Sequence, residues 1–167
     1  KQYLKRLSPR EQMEAADRIM SRLAAKSPLL KTGMKLNMLP FFEVMDRTEL
    51  DQKVKVLIFW SPECPPCTES FESVNEIFRQ IYNPQEVITL AVTMRSQEQA
   101  STKLQEKPLL YAKLISSASG IFTAYNLNTM PTFVIADKND VIQFAVSGIG
   151  PQVMVAFKSH LRALLNQ

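Results

Sequence analysis

The 167-residue chain has no third cysteine and no second histidine. With Cys64 and Cys67 as the whole complement of thiols, there is no disulfide framework of the kind that holds small secreted domains together. With only His160 to add to them besides carboxylates, a zinc site at the pair lacks its remaining ligands. No apolar run approaches the roughly 18 residues needed to cross a bilayer, and the longest pure stretch, Val56 to Trp60, reads as a buried strand. Internal repeats and low-complexity tracts are absent. Neither sign of charge dominates: 20 basic against 16 acidic residues leave a net charge of +4, too mild and dispersed to point to nucleic acid as a partner. The chain begins at Lys1 with neither Met nor signal peptide, which is the mark of a processed or excised fragment.

What is present suits one domain with an appendage: 46% hydrophobic and 22% charged residues supply a core and argue against disorder. Ser8-Pro9-Arg10-Glu11 is a helix start, with Ser8 as cap, Pro9 in the first turn and Glu11 closing a capping box. Met13, Ala16, Met20, Leu23 and Ala24 follow at helical spacing, and the helix is expected to stop near Ser27-Pro28. Lys31 to Leu39 reads as a linker around Gly33, Phe41 to Val44 as a short strand, and Asp46 to Gln52 as a polar turn. Val54 to Trp60 has the near-continuous apolar character of a central parallel strand. Phe71, Val74, Ile77, Phe78 and Ile81 mark a helix after Cys67, and Val87 to Val92 a second strand. Ser96 and Gln99 open a further helix that Pro108 closes. Leu109 to Ile115 reads as a strand, Ser117 to Tyr125 as a short helix, and Thr132 to Ala136 and Val141 to Val146 as a hairpin around Asp137-Lys138-Asn139-Asp140. A last helix follows Gly148, Gly150 and Pro151. The order predicts an α/β sandwich, parallel strands first and a C-terminal hairpin and helix after, with helices on both faces.

The chemistry lies in Phe59-Trp60-Ser61-Pro62-Glu63-Cys64-Pro65-Pro66-Cys67. A strand ending in Cys-x-x-Cys at the start of a helix is the local architecture of a redox dithiol. Unpaired N–H groups and the helix dipole favour a thiolate at Cys64, and Cys67 lies one turn on, within bridging reach. Cys64 would attack a disulfide and Cys67 would resolve the mixed species. A purely structural disulfide at this spacing closes almost no loop and stabilises little. Trp60 is expected to pack on the active-site loop, with substrate contact secondary, and His160 to be structural or solvent-facing. No metal site and no cofactor are expected.

This segment resembles the active-site segment of thioredoxin-fold proteins, and its Pro-Pro spacer and the later insertion between Val92 and Asn126 resemble the TlpA/ResA-like branch of extracytoplasmic thiol-disulfide oxidoreductases. Tyr125-Asn126-Leu127-Asn128-Thr129-Met130-Pro131-Thr132-Phe133 is a second match, and the hairpin ending in Gly148 a third. The resemblance implies a thioredoxin-like fold over residues 39–167, a central mixed sheet flanked by helices, with residues 1–38 an added N-terminal helix and linker. It implies that Pro131 is cis and faces the cysteines, and that the Met130 backbone meets the substrate. The implied partners are disulfide-containing client proteins and a membrane thiol-disulfide electron donor, in a bacterial periplasm or similar compartment. The isolated helix from Pro9 to Ala25 and the start at Lys1 lead to the expectation of a longer polypeptide, with a lipid or membrane anchor upstream as one form of it.

The departures bear on mechanism. Ile58 stands where relatives carry a buried acid or Asn, and Glu63 where Trp is common; a carboxylate beside Cys64 opposes its ionisation. Glu63 and Glu69 are the candidate proton acceptors for Cys67. Two other readings of the fold are a thiol peroxidase, for which Ser61 and Pro62 offer no Thr at the required offset, and a metallochaperone or adaptor module, whose relatives use wider cysteine spacing and a downstream His.

Overall fold

The computed structural model describes residues 8–165; in the first helix the side chains of Gln12, Met13, Ala16 and Asp17 are outside the description. That helix, α1 (Pro9–Leu23), starts as its sequence predicts: the Ser8 hydroxyl accepts the Glu11 N–H at 3.2 Å and donates to the Glu11 carboxylate at 2.8 Å. It ends a turn earlier than Ser27. Five strands and four more helices follow: β1 (Val54–Phe59), α2 (Pro65–Ile81), β2 (Val87–Val92), α3 (Gln97–Glu106), β3 (Ala112–Ile115), α4 (Ser119–Ala124), β4 (Thr132–Ala136), β5 (Ile142–Ser147) and α5 (Pro151–Ala163).

The sheet order is β3-β2-β1-β4-β5. β1, β2 and β3 are parallel, whereas β4 and β5 run antiparallel to their neighbours. β1 is therefore the central strand, buried along its whole length, which is why its sequence lacks the alternation of a half-exposed strand. Its side chains still divide by period two. Val54, Val56 and Ile58 meet α2, α3 and α5 on one face; Leu57 and Phe59 meet α4 and the chain between α1 and β1 on the other.

Two expectations fail in that connecting chain. Residues 31–39 are no free linker. Gly33 N–H donates to the Ile142 carbonyl and Ile142 N–H to that of Met34, both at 2.8 Å, and Ala25 N–H reaches the Ala145 carbonyl at 3.1 Å. The stretch thus covers the outer edge of β5, a position otherwise open to pairing with another chain, while Leu30, Leu36 and Met38 enter the core. Those apolar residues sit in irregular backbone, so no periodicity announces them. Phe41 to Val44 is likewise not a strand: Pro40 sits in the first turn of a 3-10 helix, Leu39–Phe41, where its missing N–H costs nothing. Phe41 alone is driven inward, its ring 6.2 Å from that of Tyr125, while Phe42 lies under the Arg47 guanidinium at 5.1 Å.

Tyr125 ties this face together. Its ring is tilted edge-on to Phe59, its hydroxyl donates to the Asn37 carbonyl, and its own carbonyl accepts the Ser27 hydroxyl. Burial pushes its phenol well above the usual tyrosine range, and the charge of Asp140 adds to the shift. Asp140, at the β4–β5 turn with φ 66°, pairs with a buried cation that the sequence reading passed over, Lys55 of β1. No helix among the described residues is long and apolar enough to cross a membrane.

Candidate active site

Three loops converge where β1 and β2 end and β4 begins. The last ladder pair of β1 and β4 is Phe59 with Thr132, so continuing the antiparallel register sets Pro131 opposite Trp60 and Met130 opposite Ser61. Trp60 N–H bonds the Val92 carbonyl at 3.0 Å, which holds the start of the cysteine loop against the end of β2. The loop then turns on itself. Ser61 accepts the Glu63 N–H through its hydroxyl at 3.3 Å and the Cys64 N–H through its carbonyl at 3.1 Å.

Cys64 is the N-cap of α2, and Pro65 and Pro66 occupy the first helical positions. Prolines suit those positions because N–H groups there lack intrahelical acceptors anyway. Pro66, at the second helical position, also withholds a donor that the Cys64 side chain could otherwise accept. The Cys67 N–H remains, directed at Cys64 Sγ at 3.2 Å. The two sulfurs are joined in a disulfide, with Cα atoms 5.3 Å apart. Cys64 is partly exposed and Cys67 is buried. A sulfur arriving from outside therefore meets Cys64, and Cys67 is reached by way of it.

The Met130–Pro131 peptide is cis. Its loop is pinned from below: the Thr132 hydroxyl donates to the Thr129 carbonyl at 2.7 Å and lies 2.7 Å from the Ser147 hydroxyl, and Gly148 N–H bonds the Pro131 carbonyl at 2.9 Å. Pro131 is buried and Met130 partly exposed. Beside them is a cleft of about 240 Å³ lined by Ser61, Thr93, Met94, Arg95 and Met130. A larger groove, about 780 Å³, lies elsewhere, between α1, β5 and α5, and neither cysteine lines it.

The remaining predicted residues fall out differently. Trp60 is fully buried and packs edge-on to Phe71 at 5.3 Å, so it supports the loop and offers no surface to a substrate. Glu69 is exposed on α2; two residues past Cys67 it lies about 200° around the helix, turned away from the buried sulfur. Glu63 is exposed and joined to Arg95 by an ion pair of 2.9 Å. His160 is exposed, its ring 5.3 Å from that of Phe144. Arg95 is the residue that sequence reasoning missed. Its only local signal is a charge just past an apolar strand, and its partner lies 32 positions away.

Comparison with known proteins agrees with this geometry. The Redoxin family matches residues 42–156, more than half of the chain. The chain belongs to the Redoxin family. Two curated relatives are named thiol-disulfide oxidoreductase ResA. That of Geobacillus kaustophilus is 30% identical over 93 residues, covering 55% of this chain and 53% of that protein. That of Geobacillus thermodenitrificans is 27% identical over 118 residues, covering 70% and 66%. The chain thus spans between about half and two thirds of the length of these relatives. Among solved structures, a secreted Mycobacterium tuberculosis disulfide oxidoreductase homologous to E. coli DsbE superimposes with a TM-score of 0.59 at 21% identity, over 72% of this chain and 88% of that one. StoA from Bacillus subtilis gives 0.55 at 16% identity, over 66% and 84%. At such identities the likeness is one of fold, and the fold is thioredoxin-like. This Redoxin-family chain is thus similar in sequence to ResA thiol-disulfide oxidoreductases and shares the thioredoxin-like fold.

Proposed function

We propose that this chain is a thiol-disulfide oxidoreductase that reduces disulfides of client proteins outside the cytoplasm, with electrons supplied by a membrane thiol-disulfide donor. The observation that carries the reading is the asymmetry of the pair: Cys64 is partly exposed at the helix cap, while Cys67 is buried behind it. In the reduced protein the Cys64 thiolate attacks one sulfur of the client disulfide. The client S–S bond breaks, its other sulfur leaves as a thiolate, and Cys64 is joined to the client. The Cys67 thiol, on losing its proton, attacks Cys64 Sγ and expels the second client sulfur. The Cys64–Cys67 bond forms and two electrons have passed to the client. A donor dithiol then reverses the change in the protein.

Helix capping supports Cys64 as the attacking group, because the Cys67 N–H is already aimed at its sulfur. The backbone at Met130, opposite Ser61 by register, is the proposed seat of the client chain, with Pro131 behind it. The two ResA relatives, named thiol-disulfide oxidoreductases, support the reaction, and the compartment is the one that the resemblance to the TlpA/ResA-like branch implies. Glu63 is the carboxylate nearest in sequence to the pair and the remaining candidate for accepting the Cys67 proton.

The test uses the reduced protein and a disulfide-bonded protein substrate such as insulin. Cys64→Ser is expected to abolish reduction and Cys67→Ser to accumulate a mixed disulfide seen as a mass adduct. Activity that survives Cys64→Ser, or a Cys67→Ser variant that traps nothing, would overturn the assignment.

A further inference from the structure

A carboxylate next to the reactive cysteine is an odd choice for a site that works through a thiolate. The structure pairs it with a cation carried by another strand's loop. Arg95 follows β2, and its backbone is held on both sides: its N–H bonds the Thr93 hydroxyl at 3.3 Å, and its carbonyl accepts the Ser117 N–H at 2.7 Å. Its guanidinium reaches across the cleft to Glu63 at 2.9 Å and lines the same cleft as Ser61 and Met130. Because Pro66 withholds its N–H from the Cys64 sulfur and leaves that of Cys67 as the capping donor, charges outside the helix weigh more here than at a cap with its full set of donors.

We infer that Arg95 is a positioning residue for the thiol chemistry: it holds Glu63 in an ion pair, cancels the negative charge beside Cys64, and so keeps that thiol ready to ionise near neutral pH. The inference rests on the proposed role of Cys64 as the attacking thiol. The charged groups that contacts among the described residues bring to this loop are Glu63, the chain neighbour of Cys64, and Arg95, paired with it from the β2–α3 loop. Cys67 is joined to Cys64 from α2, and Met130 and Pro131, on the β4 side by register, carry no charge. Glu69, on the exposed side of α2, contributes little through solvent.

The pair contributes to the chemistry through charge, and a merely structural bridge would act through shape. These differ in sign. If the bridge only held the loop, Arg95→Gln and Glu63→Gln would disturb Cys64 in the same way. If charge matters, they act in opposite directions. The measurement is the pH profile of iodoacetamide alkylation of the reduced full chain, in which buried Cys67 leaves Cys64 as the reporting thiol. Arg95→Gln should raise the apparent pKa of Cys64 and slow its alkylation at pH 7 by about two- to fivefold. Glu63→Gln should lower the apparent pKa, and the double variant, which removes both charges, should lie between the two single variants, near the unmodified chain. An unchanged profile in Arg95→Gln, or an upward shift shared by both single variants, would overturn the inference. Insulin reduction by the unmodified chain is scored separately. If it fails, the proposed function fails while the alkylation result still stands on its own; if it succeeds and the profiles do not separate, only the role of Arg95 is lost.

Discussion

The sheet carries a carboxylate–cation pair at each end. Where β1 and β2 finish, Glu63 and Arg95 meet at 2.9 Å with side chains 60% and 49% exposed; where β1 begins, Lys55 and Asp140 meet at 2.6 Å with side chains 4% and 28% exposed. Both lie well within ion-pair distance. Burial separates them. An exposed pair gains little, because water already stabilises each charge. A buried ammonium depends on its partner, since losing the partner leaves an uncompensated charge among apolar side chains. The first pair therefore matters through what stands next to it, and the second through what would happen without it. The reactive end of the sheet is built from short loops with modest stability at stake, while the opposite end and the face behind Tyr125 secure the fold.

That contrast is open to direct attack. Asp140→Asn, chosen because Asn tolerates the positive φ of that position, should cost the most, about 3 kcal/mol in urea unfolding, and should leave the alkylation profile of Cys64 untouched. Lys55→Met, which removes the buried charge and keeps an unbranched side chain, should cost less. If the two variants were equal, burial of the ammonium would not be the cause.

Tyr125→Phe should come next, losing about 1 kcal/mol near neutral pH with the hydrogen bond to the Asn37 carbonyl. Its signature is alkaline. The folded phenol titrates above the unfolded one, so its contribution is complete below the ordinary tyrosine pKa of about 10 and is lost as pH rises beyond it. The unmodified chain should therefore lose stability as pH rises above about 10, and the Phe variant should lose less. Tyr82, also shifted upward by burial, accounts for a residual slope. Equal slopes in the two proteins would contradict the assignment. Arg95→Gln should have the smallest effect on unfolding, within about 0.5 kcal/mol, even though it changes the reactivity of Cys64.

The same division marks what the sequence made legible. The cysteine loop could be read because its determinants are local: a cap, two prolines in a first turn, and a spacing of one helical turn. The β4–β5 hairpin could be read from its turn chemistry, and the parallel pairing of the early strands from the alternation of strands and helices. The role of Pro131 came from resemblance, and no propensity pointed to it. What stayed hidden was set by contacts between distant positions. Residues 31–39 look like a linker because Leu36 and Met38 follow no period. Lys55 interrupts an apolar run as if it marked a solvent face, and its partner lies in a turn far along the chain. Arg95 had no reason to be noticed until β2 was set beside β1. Glu63 was noticed, but as an isolated charge opposing the thiolate; the pairing that answers it belongs to the tertiary structure.

The direction of electron flow is tested most directly by the reduction potential of the Cys64–Cys67 pair. The chain can be equilibrated in defined redox buffers and followed through the fluorescence of Trp60, its single tryptophan, buried at the start of the cysteine loop. A reductant of client disulfides should lie near the thioredoxin value of about −270 mV, whereas a potential near the DsbA value of about −120 mV would make the pair an oxidant and contradict the proposed direction.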